Sequence, residues 1–169
     1  MPPLTPGQFL RNTASFYPRF SIAGFYSHLR ILDVDPEEIM SSLSFGQQKK
    51  VMIAFGLATN TSVLMMDEPT NGLDIPSKVQ FRKLIASALD EERCVIISTH
   101  QVRDLDKLID TILILDHHRI VVNQSVDELT EKLLKSGKYS KMDLELFFNA
   151  VILEGDRLLT MLEKGGGHE

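Results

Sequence analysis

Two adjacent carboxylates, Asp67 and Glu68, directly follow a run of four apolar residues at positions 63–66. The run has no polar alternation, which predicts a short strand buried on both faces of a parallel sheet, with Pro69 ending it. The carboxyl end of such a strand is where open α/β sheets bind ligands. Successive strand residues point to opposite sides, so one carboxylate can hold a magnesium ion while the other accepts a proton from an attacking water. The alternative is an acidic strand end that only caps the next turn.

Polar groups at two further places indicate the same chemistry. Ser44 and Gly46 precede a helical pattern, so the start of that helix offers free backbone N–H groups, a positive dipole end and a hydroxyl to an anion such as phosphate. A second apolar run, at residues 95–97, ends shortly before His100 and places a titratable side chain at another strand end. Three such sites in this order indicate phosphate chemistry far more specifically than any one of them does.

In order and spacing these motifs resemble those of ATP-binding cassette (ABC) ATPases. Residues 43–48, Leu-Ser-Phe-Gly-Gln-Gln, resemble the family's signature motif, normally Leu-Ser-Gly-Gly-Gln, with Phe45 where glycine is usual. Residues 63–68 resemble its Walker B motif, residues 71–74 its D-loop, and His100 its switch histidine. The resemblance implies an α/β chain: a partial P-loop NTPase (ABC ATPase) fold with a mostly parallel sheet and a helical subdomain at the N-terminus.

The resemblance also implies what individual residues do around ATP bound with Mg²⁺. Glu68 would activate water, His100 would contact the γ-phosphate, and Asp67 would position the metal. In this family two nucleotide-binding domains face each other head to tail. Contacts to a nucleotide shared with the partner domain would come from Ser44, Gly46, Gln47 and Asp74.

The function implied is that of an ATP-binding subunit that couples ATP hydrolysis to solute transport. Its partners would be a second nucleotide-binding domain and transmembrane transporter subunits, which would hold it in the cytoplasm at the inner face of the membrane. The alternative is a non-hydrolysing binding or regulatory module that completes a partner's ATP site. Glu68 and His100 favour the ATPase, because a module that never hydrolyses ATP has no chemical need for them.

Two family motifs have no counterpart here, and the absence of the first, the Walker A loop, favours the alternative. The Walker A loop, Gly-x-x-x-x-Gly-Lys-Ser/Thr, is missing, and the single Gly-Lys pair, at residues 137–138, lacks the flanking residues. Gln8 lies too near the start to be the family's glutamine loop. We therefore expect the second part of a nucleotide-binding domain, inactive in ATP hydrolysis alone. The family's Walker A strand lies between the strands at residues 94–98 and 111–115, so we also expect a gap in the sheet that another copy or the missing half would fill.

Composition agrees with a globular cytoplasmic protein. The 169 residues are 43% apolar and 24% charged, which is enough for one domain with a sizeable core. The formal net charge of -5 and the lack of long basic blocks argue against a nucleic-acid partner. The single cysteine, Cys94, is expected to be a buried apolar side chain, and no disulfide framework exists. No apolar run reaches the length of a membrane span.

We expect three segments. Residues 1–58 form a helical subdomain and the signature helix, residues 59–135 form the C-terminal part of the α/β core, and residues 136–169 form a linker and an amphipathic helix. For the helical subdomain, simple packing remains an alternative to contact with transmembrane subunits. The last helix would pack on its own domain or form a dimer contact.

Local signals predict several element boundaries. Thr5 and Asp74 are expected to cap helices, and a short helix is expected to start at residues 35–38. A further helix is expected at residues 102–109 and a buried strand at residues 111–115. His117 and His118 resemble a metal-binding pair, but adjacent strand positions face opposite ways, so we interpret them as surface residues of a hairpin.

Overall fold

The computed structural model describes residues 1–90, 92–105, 108–135 and Phe147. The linker and amphipathic helix predicted for residues 136–169 lie outside the described residues, apart from Phe147. No helix in the described ranges is both long and apolar enough to cross a membrane. The elements, in chain order, are α1 (Pro6–Thr13), α2 (Ile22–Ile31), α3 (Phe45–Ala58), β1 (Val63–Asp67), α4 (Ile75–Ala88), β2 (Cys94–Ser98), β3 (Thr111–Asp116), β4 (Arg119–Ser125) and α5 (Val126–Lys135), with 3-10 turns at Ala14–Phe16 and Val102–Leu105.

The chain divides into two compact units, Met1–Asp104 and Leu105–Glu169. The first contains α1 to α4 and a two-stranded parallel sheet formed by β1 and β2. The second contains the antiparallel pair β3–β4 and helix α5. The segment boundary that the sequence suggests after residue 58 stays a prediction.

The helices of the first unit begin where the sequence supplies capping side chains. The Thr5 hydroxyl accepts a hydrogen bond from the Gln8 N–H, and the Gln8 side chain returns one to the Thr5 N–H, with Pro6 in the first turn. The Asp74 carboxylate accepts the Ser77 N–H in the same way at the start of α4. Both predicted caps are therefore confirmed, because these side chains satisfy backbone donors that the helix leaves free.

An aromatic cluster forms the core between α2 and α3. The Phe55 ring on α3 lies within 5.0–6.2 Å, centroid to centroid, of the rings of Phe9, Tyr17, Phe20 and Phe25. Around this cluster α2 packs on α3, and α2 also contacts α4. The apolar faces of these helices are thus buried against one another. Their fully buried side chains include Phe25, Leu29, Val51, Leu57, Phe81 and Leu84.

The parallel pair β1–β2 aligns two strand ends that carry polar residues. Its register pairs Val63 with Cys94 at one end and Asp67 with Ser98 at the other. The prediction that β1 is buried on both faces is wrong, because exposed and half-buried residues alternate along both strands and Met65 is 73% exposed. Cys94 is also exposed, not buried as expected. An apolar run shows what a strand prefers, but burial needs a neighbouring element on each face.

Two helices expected from the sequence differ in the structure. Residues 35–38 form a turn, because the Asp35 carboxylate accepts the Glu37 N–H two residues on, a local bond that competes with helix formation. Of the helix expected at residues 102–109, Val102–Leu105 form a 3-10 turn, and residues 108 and 109 are not helical.

The second unit is built around a hairpin. His117 and His118 form its two-residue turn with φ of 44° and 63°, and both are exposed, which confirms their interpretation as hairpin surface residues. The strand predicted at residues 111–115 is present, but only Ile114 within it is buried, so the expectation of a buried strand is wrong. The Ser125 hydroxyl accepts the Glu128 N–H at the start of α5.

Candidate functional site

The carboxyl ends of β1 and β2 bring the predicted chemical groups together. Because the two strands are parallel and in register, the residues that follow β1 lie beside those that follow β2. The Glu68 N–H donates to the Ser98 carbonyl at 2.9 Å, which extends the pairing one residue beyond β1. The structure therefore brings Asp67 and Glu68 together with His100, three of the residues that the sequence singled out.

The Glu68 carboxylate is held by hydrogen bonds from the segment after β2. The Thr99 hydroxyl donates to Oε2 at 3.1 Å, and the His100 N–H donates to Oε1 at 3.0 Å. The His100 Nδ1 lies 2.6 Å from the same oxygen, while most of its ring is exposed. Burial alone would raise the pKa of Glu68, but the bonds from His100 and Thr99 outweigh it and lower the pKa below its ordinary value. Glu68 is thus an oriented, ionised carboxylate at neutral pH, the form in which it accepts a proton.

Asp67 offers an exposed carboxylate one residue earlier. Its Oδ1 accepts a short hydrogen bond from the Ser98 hydroxyl. Mg²⁺ is usually held by one or two carboxylates together with waters and substrate phosphates, not by an all-protein cage. An exposed carboxylate next to a hydroxyl at a strand end fits that donor set. Within the described ranges, no three His, Cys, Asp or Glu side chains cluster in a way that could hold a metal.

The start of α3 presents the signature residues. The Ser44 hydroxyl accepts the Gln47 N–H at 3.3 Å, and Gln47 Oε1 accepts the Ser44 N–H at 3.0 Å, a reciprocal capping box. The Ser44 hydroxyl proton is not used by this box and remains a donor for an anion. The Gln47 oxygen is already occupied, so only its amide N–H groups are free for such a role.

A close approach joins the start of α3 to the loop after β1. A Cβ added to Gly46 would lie 3.0 Å from the Gly72 carbonyl oxygen, a backbone atom that cannot move aside easily. Gly72 itself has φ of 80°, and a Cβ there would lie 3.0 Å from the Phe45 ring. Phe45 stands where the signature motif that these residues resemble has glycine, and its ring, 66% exposed, covers Gly72. Both glycines are therefore required by geometry.

Replacing Gly72 with alanine is expected to destabilise the fold by about 1–2 kcal/mol, the typical cost of a left-handed conformation for a residue with a Cβ. Contact with the Phe45 ring adds to this cost. Urea unfolding of Gly72→Ala measures the combined loss of stability. The same change in a Phe45→Ala background lacks the ring contact, so it measures the cost of the left-handed backbone alone. Unchanged stability of the single variant would show that this loop is not held at positive φ.

Asp74 lies at the end of the same loop. Hydrogen bonds from the Ser77 hydroxyl and N–H lower the pKa of Asp74 below its ordinary value. The side chain therefore has a structural role as the cap of α4. The contact across a domain interface that the resemblance implies for Asp74 stays a prediction.

Two lysines that the sequence analysis did not select also contact this region. Lys49 on α3 donates to the backbone oxygens of Glu68 and Asn71. Lys78 on α4 forms an ion pair of 2.7 Å with Asp104 and donates to Gln101 at 2.9 Å. Lys49 thus connects α3 to the segment that carries Glu68, and Lys78 connects α4 to the segment that carries His100. No sequence signal marks them, because their partners lie 19 to 26 positions away in the chain.

Known proteins resemble this chain in sequence. Residues 12–71 match the family model described as ABC transporter. The chain is 29% identical over 108 residues to the fructose import ATP-binding protein FruK of Bifidobacterium longum, covering 63% of this chain and 21% of FruK. It is 32% identical over 110 residues to the energy-coupling factor transporter ATP-binding protein EcfA2 of Staphylococcus aureus, covering 62% of this chain and 38% of EcfA2. The chain thus spans about a fifth to two fifths of the length of these relatives.

Solved structures show the same fold. The structure of an ATP-binding subunit of an ABC transporter superposes with a TM-score of 0.69 at 21% identity, covering 86% of this chain and 62% of that one. A bacterial ABC transporter cassette solved as a dimer gives 0.63 at 20% identity, with 75% and 58% covered. The α/β fold is thus that of ABC-type P-loop ATPase domains, which confirms the predicted fold class. The chain is similar to the ATP-binding subunits of ABC transporters over part of their length.

Proposed function

We propose that this chain is part of the ATP-binding subunit of an ABC transporter, which couples ATP hydrolysis to the movement of a solute across a membrane. The observation that carries the proposal is the arrangement of Glu68, whose carboxylate is oriented by Thr99 and His100 at the end of a parallel strand pair. A carboxylate that only capped a turn would need no such partners from a second strand end. Asp67 beside it supplies the second acidic group that this chemistry requires.

The mechanism follows from these positions. Bound Mg²⁺-ATP supplies the phosphoryl group that is transferred. Asp67 would hold the metal, and the ionised Glu68 would take a proton from the attacking water. His100 holds the Glu68 carboxylate through its backbone N–H and ring nitrogen, and its exposed ring would contact the γ-phosphate.

The start of α3 would serve a second nucleotide. Free backbone N–H groups, the positive end of the helix dipole and the Ser44 hydroxyl would bind the γ-phosphate of ATP held by a partner domain. The N–H of Gly46 and the Gln47 amide would add donors, and Asp74 would reach across the interface. A second nucleotide-binding domain, facing head to tail, is thus one partner that we propose.

The phosphate-binding loop must come from elsewhere, because no Gly-x-x-x-x-Gly-Lys-Ser/Thr occurs in the 169 residues. We propose that a segment with this loop adds a strand beside β2, whose only hydrogen-bonded neighbour among the described strands is β1. Such a segment would also cover part of the exposed apolar face of Val63, Met65 and Ile96. Transmembrane subunits would then hold the assembly at the cytoplasmic face of the membrane.

The missing loop also favours the second candidate, a module that completes a partner's ATP site without hydrolysing ATP itself. In that case only the surface at the start of α3 would contact nucleotide. Glu68 and His100 would then have no chemical task.

The decisive experiment compares the chain alone with a completed ATPase, in which a segment carrying the phosphate-binding loop of a complete family member precedes Met1. ATP turnover with Mg²⁺ and binding of a fluorescent ATP analogue are measured on both. We expect no turnover by the chain alone and turnover by the completed ATPase. Turnover by the chain alone that disappears in Glu68→Gln would show that the missing loop is not needed. A completed ATPase that binds ATP without turnover would favour the non-hydrolysing module.

A further inference from the structure

Lys49 bridges the two ends of the turn that begins at Glu68. Its ammonium lies 2.5 Å from the Glu68 carbonyl oxygen and 2.9 Å from the Asn71 carbonyl oxygen. The Asn71 N–H also donates to the Glu68 carbonyl at 3.2 Å, which closes a four-residue turn with Pro69 at its second position. One side chain from α3 thus binds both the first and the last carbonyl of this turn.

The turn begins with a strained residue. Glu68 has φ of 44°, a left-handed conformation that residues with a Cβ rarely adopt, and it precedes a proline, which restricts its backbone further. Such a conformation persists only where the surroundings hold it in place. At Glu68 the surroundings are the pairing with Ser98, the side-chain bonds to Thr99 and His100, and the ammonium of Lys49.

Backbone conformation at Glu68 sets the direction of its side chain. With negative φ the Cβ would leave the backbone in a different direction, and the carboxylate would lose its alignment with His100. The hydrogen bonds to Thr99 and His100 are made by the same carboxylate that they orient, so they cannot fix the backbone alone. Lys49 binds the backbone oxygens of Glu68 and Asn71, so it acts on the backbone independently of the carboxylate.

We propose that Lys49 is a positioning residue that holds the Glu68 turn in its left-handed conformation and thereby directs the Glu68 carboxylate towards His100. Its catalytic consequence rests on the proposed function, whereas its structural consequence does not.

Phe45 completes this arrangement. Its ring lies 5.4 Å from the Lys49 ammonium, close enough for a cation–π interaction, and it also contacts the position of Gly72. The ring covers one side of the ammonium and limits the positions that the flexible lysine can adopt. The aromatic residue in place of the usual signature glycine therefore links the start of α3 to the Glu68 turn through Lys49.

Nuclear magnetic resonance on the whole chain tests the proposal without any ATP. The one-bond Cα–Hα coupling of Glu68 distinguishes positive from negative φ. We expect positive φ in the wild type and in Lys49→Arg, whose guanidinium still donates to two carbonyls. In Lys49→Met we expect the coupling to change to that of negative φ. Lys83→Met, at an exposed position on α4, is the matched control and should leave the coupling unchanged.

A folded Lys49→Met that keeps positive φ at Glu68 would overturn the proposal, as would a folded Lys49→Arg that loses it. If Lys49→Met does not fold, Lys49→Gln tests the proposal in its place. The glutamine side chain is too short to reach both carbonyls, so the Glu68 coupling should shift towards negative φ.

In the completed ATPase, Lys49→Met should lower kcat by up to about 10²-fold, the size of effect that a misplaced catalytic group produces, and leave KM nearly unchanged. Lys49→Arg should restore most of the rate. A further outcome is that Lys49→Met changes the φ of Glu68 as expected while the completed ATPase shows no turnover at all. That result would contradict the proposed function and not the role of Lys49.

Discussion

Replacing Glu68 with glutamine is expected to lower kcat of the completed ATPase by about 10²–10⁴-fold, the usual contribution of a general base. The amide has the size and shape of the carboxylate and its oxygen still accepts a hydrogen bond from His100, so the fold should be retained. It cannot accept the proton of the attacking water. Steady-state turnover with Mg²⁺-ATP measures the loss, and binding of a fluorescent ATP analogue should be unchanged.

Glu38→Gln provides the matched control, because Glu38 is exposed and belongs neither to β1 or β2 nor to the residues that follow them. It should leave turnover and binding as in the wild type. A Glu68→Gln variant that lost binding and kcat together would indicate that Glu68 holds the nucleotide or the fold. An unchanged kcat would remove Glu68 from the catalytic mechanism altogether.

Replacing Phe55 with alanine is expected to lower the free energy of unfolding by about 3–5 kcal/mol, as large-to-small changes at buried phenylalanines do. The Phe55 side chain is 6% exposed, and its ring touches four others, from Phe9, Tyr17, Phe20 and Phe25. Because four rings surround the space that Phe55 fills, the cavity cannot close by moving one side chain. Urea denaturation followed by circular dichroism measures the change.

Phe16→Ala is the control for this experiment. Phe16 belongs to the same N-terminal region but is 77% exposed, so its removal should change stability by no more than about 0.5 kcal/mol. If both variants lost the same stability, the aromatic cluster would not be the core of this unit. A small loss in Phe55→Ala alone would show that neighbouring rings refill the space.

Contacts between residues that are close in the chain made much of the structure predictable from the sequence. Thr5 and Asp74 cap helices as expected, because a capping side chain and the N–H that it satisfies lie within three residues of each other. The hairpin at His117 and His118 depends on two adjacent residues. The placement of Glu68 and His100 side by side was also predictable, since parallel strands in register bring their carboxyl ends to one edge.

Burial was not predictable in the same way. The apolar run before Asp67 indicated a strand buried on both faces, yet Val63 and Met65 are exposed. Residue types set what a strand can bury, whereas the presence of a covering element depends on the rest of the fold. The same reason explains why Cys94, at the start of an apolar strand, is exposed.

The sequence by itself determined which residues are the candidates for the proposed chemistry: Asp67, Glu68 and His100, with Ser44 at a helix start. The tertiary structure alone decided how they are held. Lys49 contacts Glu68 across 19 positions, and Glu68 adopts positive φ although nothing in its own residue type favours it. Local propensities act over a few residues, whereas a strained conformation is stabilised by contacts that exist only after distant segments have packed together.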